Sequence, residues 1–265
     1  MEYWKYSGAG NDFVLLDNRD GRLCDYPSLA RSLCDRKSGI GADGLIVIEP
    51  ALQDGDIRMT FFNNDGSSAE MCGNGARCLC RHCFDLGICG TKQKIETPAG
   101  MVCGERLSEN QYKIRLNRPS ELKLQMQVGE TLCDYVVLGE NGIPHAAVSA
   151  NLGENRAFLS DFARLLRYAS EFPKGANVNL YTIVDCDRIL LLTYERGVED
   201  FTLACGTGTG ATVYALHKRG LLRGVHTRVD VDGGTLFVDI DDGEIYLSGP
   251  AELISHGNMD DTKPL

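Results

Sequence analysis

The sequence predicts an α+β fold in which antiparallel sheet outweighs helix. Short runs rich in β-branched and aromatic residues recur along the chain, helical patterns are fewer, and one strand–turn–helix plan occurs twice. Runs of this kind, bounded by Gly, Asp, Asn or Pro, are typical of strands, and this mixture indicates an α+β protein. The predicted strands lie at residues 12–18, 44–50, 57–63, 112–118, 134–140, 188–195, 236–241 and 244–250.

Helical patterns are confined to four segments. The predicted helices are Pro27–Arg36, Asn74–Leu86, Asn155–Tyr168 and Thr207–Arg219. A polar stretch at 117–123, "NRPSELK", predicts a loop near the midpoint of the chain, which is a candidate domain boundary.

The repeated plan links two distant segments. "FFNNDGSSAEMCGNGA" (61–76) and "TYERGVEDFTLACGTGTGA" (193–211) each run from a strand through a polar turn and a Cys-Gly-x-Gly motif into a helix. Because the context before and after the motif is shared, the match indicates a duplicated half-structure.

Length, charge and local patterns argue against several kinds of partner and location. The chain has 265 residues, enough for one large domain or two ordinary ones, and a net charge of −10. That charge argues against a nucleic-acid or anionic-membrane partner. The N-terminal segment lacks a signal-peptide pattern, and no apolar run is long enough to span a bilayer. We therefore expect a cytoplasmic protein whose 11 cysteines, an odd number, stay mostly reduced.

Most of the cysteines are expected to pack in the core. Cys80 and Cys83 have zinc-like spacing, with Cys78 and His82 beside them. On a helix, however, Ala76, Leu79, Cys80 and Cys83 share one apolar face, and free cysteine packs there as a small hydrophobe. We therefore expect no metal site. Packing is also the expectation for the cysteines without a partner pattern: Cys24, Cys34, Cys89, Cys103, Cys133 and Cys186.

Cys72 and Cys205 differ from the other cysteines because each precedes a predicted helix and a glycine. The unpaired N–H groups and partial positive charge of a helix N-terminus stabilise an anion. A thiolate there has a lowered pKa and can act as a base near neutral pH. Gly73 and Gly206 allow the backbone to approach a ligand closely. The same N–H groups can bind a carboxylate.

A dinucleotide-binding loop is a weaker interpretation of the second motif. "GTGTGA" (206–211) follows a strand and opens a helix, but its spacing is G-x-G-x-G rather than G-x-G-x-x-G. The acidic residue expected after a second strand is also not evident.

Two acid–base thiols in matched contexts suggest inversion of a carbon centre. One thiolate removes a proton from one face, and the other thiol delivers a proton to the opposite face. The carbanion that develops at an amino-acid α-carbon needs strong electrostatic help, which two helix N-termini at the α-carboxylate would supply. A neighbouring glutamate or histidine could set the protonation of the thiols. This chemistry requires neither a cofactor nor a metal.

These residues resemble the diaminopimelate epimerase family, whose members act without a cofactor in lysine and peptidoglycan-precursor synthesis. The resemblance covers nearly the whole chain. The blocks that carry it are 7–17, 38–49, 61–78, 142–148, 176–180, 193–211 and 247–253.

The resemblance implies a role for each candidate residue. Cys72 and Cys205 would be the acid–base pair, with His145 and Glu195 tuning the thiols. Backbone N–H groups of Gly73, Asn74, Gly206 and Thr207 would hold the reacting carboxylate. The residues implied at the distal amino-acid end of the substrate are Asn11, Asn63, Asn177 and Arg196, with Glu195 also contributing at the site.

The family fold implies two pseudo-symmetric α/β halves, each a mostly antiparallel sheet wrapped around a central helix, with the active site in the cleft. We expect an N-terminal half at 1–117, to which segment 251–265 returns, and a C-terminal half at 118–250. The implied activity is inversion of LL-2,6-diaminopimelate to the meso form. A small amino-acid substrate and a homodimer are also implied.

One position departs from the family pattern. Many members have Asn directly before the Pro-His pair, where this chain has Ile143; Asn141 is a candidate to compensate. Loss of a hydrogen-bonding partner can weaken discrimination at the distal end.

Two alternatives stay open. One is a racemase or epimerase for another amino acid; proline racemase-like enzymes also use two cysteines but usually have His at the position of Asn74. The other is a non-catalytic zinc-binding or redox-sensing thiol protein.

Overall fold

The computed structural model describes residues 1–69, 71–140 and 142–259. The chain divides into two compact units. The N-terminal unit contains Met1–Ile114 and Gly249–Leu265, and the C-terminal unit contains Arg115–Ser248. The boundaries expected from the sequence, 1–117 with 251–265 and 118–250, stay a prediction for independent domains. Residues 260–265 and Asn141 lie outside the described residues.

The N-terminal unit contains two helices among its described residues. In chain order its elements are β1 (Glu2–Gly8), β2 (Asn11–Asp17), α1 (Tyr26–Leu33), β3 (Gly44–Glu49), β4 (Ile57–Asn63), β5 (Ser68–Ala69), α2 (Gly73–Asp85), β6 (Lys92–Thr97), β7 (Gly100–Arg106) and β8 (Gln111–Leu116). A last strand from the C-terminal segment, Glu252–Asn258, pairs with β1 and is numbered β18.

The C-terminal unit repeats this order of elements. They are β9 (Pro119–Val128), β10 (Thr131–Leu138), β11 (Pro144–Ser149), α3 (Arg156–Arg167), β12 (Asn177–Asp185), β13 (Arg188–Glu195), β14 (Asp200–Thr202), α4 (Gly206–Lys218), β15 (His226–Val231), β16 (Gly234–Asp241) and β17 (Glu244–Pro250). Strand β9 pairs with β10 as β18 pairs with β1.

Strand pairing confirms the duplication that the repeated motif predicts. In the N-terminal unit the strands β2–β3 and β4–β6 pair in parallel. In the C-terminal unit the corresponding parallel pairs are β11–β12 and β13–β15. The pairs β1–β2, β3–β4 and β6–β7 in the first unit, and β10–β11, β12–β13 and β15–β16 in the second, are antiparallel. Each unit is therefore built around a mostly antiparallel sheet, as the fold prediction requires.

Each sheet packs against one buried central helix. Helix α2 packs on β1, β2 and β7, and α4 packs on β9–β12 and β16. The shorter helix of each unit packs elsewhere on its sheet, α1 against β3 and β4 and α3 against β12 and β13. Because a central helix contacts several strands at once, most residues of α2 and α4 are buried.

All four predicted helices are present within three residues of their predicted ends. Local capping explains where α1 and α3 begin, because Asp25 accepts from the N–H of Ser28 and Asn155 accepts from that of Ala157. The expected loop at 117–123 is wrong from Pro119 onward, since strand β9 begins there. Strand pairing overrides the local Pro and Ser signal.

The eight predicted strands exist, but the sequence patterns missed the others. These are β1, β5, β6, β7, β9, β11, β12, β14, β15 and β18. Several are polar on alternate residues or contain Gly, as in β7, so their runs of apolar residues are too short to stand out.

Cys80 and Cys83 lie fully buried on α2, as their apolar helical face predicts, and Cys78 on the same helix is fully buried as well. His82 is also buried and packs edge-on against the ring of Trp4, with 4.7 Å between ring centroids. Cys34 and Cys133 are buried as well. The packing expectation is wrong for Cys24 and Cys186, which are exposed.

No helix in the described ranges is long and apolar enough to cross a bilayer.

Strand β3 is expected to tolerate no side chain at Gly44. A Cβ there would lie 2.5 Å from Cε2 of Phe61 and 2.7 Å from the carbonyl oxygen of Phe62. We predict that Gly44→Ala lowers the free energy of unfolding by about 1–3 kcal/mol, because overpacking forces backbone shifts. Urea denaturation measures this change.

Gly90→Ala is the matched control, since a Cβ at Gly90 would meet no atom within 4 Å. We expect its effect to stay within about 0.5 kcal/mol. Equal stability of the two variants would contradict the close packing of β3 on β4.

Candidate active site

Cys72 is the N-cap residue of α2. Its backbone is extended, with φ −131° and ψ 116°, and its Sγ accepts a hydrogen bond from the N–H of Gly75 at 3.4 Å. The sulfur therefore sits at the positive end of the helix dipole, where negative charge is favoured. This is the position that the Cys-Gly-x-Gly motif predicts.

Cys205 occupies the equivalent N-cap position of α4. Its backbone is also extended, with φ −118° and ψ 108°. The residue is 8% exposed, and its Sγ lies 3.6 Å from Oγ1 of Thr207 and 3.9 Å from Nδ2 of Asn177. Polar groups therefore surround this sulfur closely.

The first turns of both central helices are rich in small residues. Helix α2 begins with Gly73 and Asn74, and α4 begins with Gly206 and Thr207. The N–H groups of a first turn have no partner within the helix. The structure therefore places all four predicted carboxylate-binding residues in first turns, the part of a helix whose main-chain N–H groups bind anions in proteins.

Glu195 lies at the end of β13 and contacts Cys205. Its Oε1 accepts a hydrogen bond from Oγ1 of Thr202 at 2.5 Å. Burial raises the pKa of its carboxyl above the ordinary value, while hydrogen bonds from Thr202 and Cys205 act in the opposite direction. Glu195 is thus positioned to affect the protonation of the Cys205 sulfur.

His145 lies in β11 and is 1% exposed. Its Nδ1 is 3.3 Å from Nδ2 of Asn179. Burial, followed by the positive charge of Arg196, lowers the pKa of His145 to about 3. The imidazole is therefore neutral at physiological pH.

Asn177 connects several predicted residues of the C-terminal unit. It pairs with His145 in the β11–β12 register, and its Oδ1 accepts from the backbone N–H of Arg196 at 2.8 Å. The guanidinium of Arg196 donates from Nη1 to the carbonyl of Lys174 at 2.8 Å. The structure therefore gathers Asn177, Arg196 and Cys205 around the start of α4.

In the N-terminal unit, Asn11 and Asn74 belong to one polar chain. Nδ2 of Asn74 donates to Oδ1 of Asn11 at 2.6 Å, and Nδ2 of Asn11 donates to Asp43 at 3.1 Å. The fully buried Arg77 donates from Nη2 to Oδ1 of Asn74 at 3.0 Å. Arg77 and Asp43 thus fix the orientation of both amides.

Asn63 ends β4 and has a local partner. Its Nδ2 donates to Oγ of Ser67 at 3.0 Å, and its backbone N–H donates to the Ser67 carbonyl at 2.9 Å. Its side chain therefore closes the "NDGS" turn, and its assignment to the substrate stays a prediction.

Sequence patterns alone missed five polar residues that form hydrogen bonds around the predicted site residues, with Thr193 acting through Asn179: Asp43, Arg77, Asn179, Thr193 and Thr202. One signal was available for Asn179. It follows Asn177 by two residues in a strand, so both amides share one face of the sheet.

Within the three described ranges, no group of three or more His, Cys, Asp or Glu residues is arranged to hold a metal ion.

The neutral state of His145 predicts a pH dependence of stability. Between about pH 6.5 and about pH 3 the unfolded chain binds a proton at this residue that the folded chain does not. The contribution of neutral His145 to the free energy of unfolding is therefore fully present above about pH 6.5 and is lost as the pH falls toward about 3. Relative to His145→Gln, we expect the wild-type protein to lose roughly 2 kcal/mol more between about pH 7 and about pH 5. Urea denaturation at both pH values measures the difference, and parallel curves would contradict it.

Comparison with known proteins identifies relatives over the full chain. A family model described as diaminopimelate epimerase matches residues 3–119 and 137–254. The diaminopimelate epimerase of Aquifex aeolicus (strain VF5) is 36% identical over 277 residues, with 98% of each protein covered. That of Chlorobaculum tepidum is 37% identical over 258 residues, covering 96% of this chain and 99% of that protein.

Solved structures share the fold. A probable proline racemase from Agrobacterium radiobacter, crystallised with bound carbonate, matches with a TM-score of 0.73 and 16% sequence identity. The match covers 98% of this chain and 93% of that chain. It confirms the predicted α+β fold, while the sequence matches confirm the predicted family. The chain belongs to the diaminopimelate epimerase family.

Proposed function

We propose that this protein inverts one α-carbon of LL-2,6-diaminopimelate to give the meso isomer, by proton transfer between two thiols and without a cofactor. The observation that carries the proposal is the placement of Cys72 and Cys205 at the N-caps of the two central helices. Membership of the family supports the substrate. The product serves lysine and peptidoglycan-precursor synthesis.

The two thiols account for both proton transfers of the reaction. One cysteine, as thiolate, takes the α-proton and becomes a thiol, leaving a carbanion. The other thiol then gives its proton to the opposite face of the carbanion and becomes a thiolate. The reaction requires the two sulfurs to reach opposite faces of one α-carbon, and the next turnover requires the original protonation states to be restored.

The carbanion is stabilised through the α-carboxylate. Main-chain N–H groups in the first turns of α2 and α4, at Gly73, Asn74, Gly206 and Thr207, are its proposed donors. Donors fixed before the reaction cost no reorganisation when negative charge develops, so they lower the barrier more than water would. Glu195 and His145 set the protonation of the thiols, Glu195 by direct contact with Cys205.

Asn11, Asn63, Asn177 and Arg196 are the proposed ligands of the distal amino-acid end. The backbone N–H of Arg196 already donates to the side-chain Oδ1 of Asn177. Asn11 is held by Asn74 and Asp43. Preformed polar groups favour a substrate with a second amino-acid head, since an analogue without that head would offer them no polar partner.

A small amino-acid substrate follows from this activity. A cytoplasmic location and a homodimer are further parts of the proposal; the first rests on the sequence patterns and the second on the family resemblance. Sedimentation equilibrium of the purified protein tests the dimer.

Replacing either catalytic thiol is expected to abolish inversion. We predict that Cys72→Ala and Cys205→Ala each lower kcat for conversion of LL- to meso-diaminopimelate by about 10³-fold or more, because each removes one of the two proton carriers. Chiral chromatography of the products under reducing conditions measures the conversion.

Cys24→Ala and Cys186→Ala are the matched controls, since both thiols are exposed. We expect these variants to keep kcat within about twofold. Full activity of Cys72→Ala or Cys205→Ala, or no inversion by the reduced wild-type protein, would refute the proposal.

Ile143 is expected to weaken the discrimination between substrates that differ at the distal end. It is 40% exposed and directly precedes β11. We predict that Ile143→Asn lowers KM for diaminopimelate about fivefold, as one added hydrogen bond would. A panel of diaminopimelate, lysine, glutamate, histidine and lanthionine, assayed side by side, measures the preference.

Ile183→Asn provides the control for this change, because Ile183 is 37% exposed on β12. It should leave the preference unchanged. Faster turnover of another amino acid than of diaminopimelate by the wild-type protein would instead favour a racemase or epimerase of that amino acid.

A further inference from the structure

Three buried polar side chains form a cluster on adjacent strands of the C-terminal unit. His145 lies on β11, Asn179 on β12 and Thr193 on β13, and each is at most 3% exposed. Nδ2 of Asn179 lies 3.3 Å from Nδ1 of His145, and Oγ1 of Thr193 lies 3.0 Å from Oδ1 of Asn179. Asn179 therefore joins the other two residues.

The duplicated architecture supplies an apolar counterpart of this cluster. In the N-terminal unit, Phe13 pairs with Gly44 as His145 pairs with Asn177. The pairing of β3 with β4 likewise matches that of β12 with β13. The residues equivalent to His145, Asn179 and Thr193 are thus Phe13, Ile46 and Phe61.

The central helices support this equivalence. A Cβ on Gly75 of α2 would lie 3.0 Å from Cδ1 of Ile46, and one on Gly208 of α4 would lie 2.5 Å from Oδ1 of Asn179. Each glycine is the third residue after its N-cap cysteine. Because apolar residues fill this layer in one unit, and burial of polar groups is costly, the polar layer in the other unit indicates a chemical role.

The surroundings of Asn179 determine which way its amide points. Its oxygen lies against Gly208 in the first turn of α4 and accepts from the Thr193 hydroxyl. The partial positive charge of the helix N-terminus favours oxygen there. The amide NH₂ consequently faces Nδ1 of His145, which must act as an acceptor, so the single proton of the neutral imidazole lies on Nε2.

The Nε2 atom of His145 is buried and has no hydrogen-bond partner in the described part of the chain. Buried donors are almost always paired. We propose that Asn179, supported by Thr193, is a positioning residue that holds His145 as the Nε2–H tautomer and so keeps this N–H as a hydrogen-bond donor in the active site, in line with the proposed effect of His145 on the thiols. The inference rests on the proposed function and adds a residue to it.

The test combines spectroscopy and kinetics on the full chain. Long-range ¹H–¹⁵N spectra of protein with labelled histidine report the tautomer of His145 without substrate. We expect Nε2–H in the wild-type protein. Asn179→Ile, which introduces the residue found in the N-terminal unit, should allow a measurable Nδ1–H population. It should also lower kcat by about tenfold or more.

Thermal unfolding separates a loss of positioning from a loss of the fold. Asn179→Ile leaves the buried Thr193 hydroxyl and Nδ1 of His145 unpaired, so its midpoint of unfolding should fall about as much as that of Thr212→Val, which also loses a buried hydrogen bond. Only Asn179→Ile should in addition shift the tautomer and lower kcat. Thr193→Val should shift the tautomer in the same direction with a smaller loss of kcat.

Thr212→Val is the control, because it removes a buried hydrogen bond to the carbonyl of Gly208 but does not involve His145. It should leave kcat and the tautomer unchanged. A wild-type His145 protonated on Nδ1, or an Asn179→Ile variant with full kcat and the Nε2–H tautomer, would overturn the inference. The spectra need no substrate, so their result is independent of whether diaminopimelate is turned over.

Discussion

A cysteine at the N-cap of a buried helix is the constraint on which the proposed chemistry depends. At Cys72 and Cys205 the backbone is extended, and the next residue opens the central helix of its unit. The sulfur therefore lies beside first-turn main-chain N–H groups, which have no acceptor carbonyl within the helix. Each sheet packs around its central helix, so the donors are held in place before a ligand arrives. Preorganised donors of this kind are what proton removal from a weak carbon acid requires.

The two cysteines are alike in backbone and different in surroundings. Near Cys205, Asn177, Glu195 and Thr207 contact the sulfur. The layer equivalent to Asn179 in the N-terminal unit is apolar, with Phe13 and Phe61 in edge contact at 6.0 Å between ring centroids. The duplication thus preserved the helix-capping geometry, while the layer beside the first helical turn is polar in one unit and apolar in the other. A diastereomeric reaction, in which substrate and product differ, is consistent with unequal surroundings.

Local sequence predicted the helices, the duplication and the two cysteines because those features have local signals: an apolar helical face, a cap and a Cys-Gly-x-Gly turn. Predictions from local sequence failed where pairing between distant strands determines the structure. Residues 119–123 carry loop-like composition but join β9 because β10 pairs with them. Asn179 and Thr193 are ordinary strand residues in sequence, since the meaning of each comes from a neighbouring strand. Ile143 stood out only against the family pattern, and composition alone would never have singled it out.

Solvent exchange measures the central claim most directly. The reduced protein, freed of small molecules and incubated in D₂O with LL-diaminopimelate, should place one deuteron at the inverted α-carbon of each meso product, because the proton delivered comes from a thiol that exchanges with solvent. Mass spectrometry and proton NMR count and locate the label. Meso product with no deuterium, or no product from protein whose two thiols are shown to be reduced, would contradict proton transfer by Cys72 and Cys205.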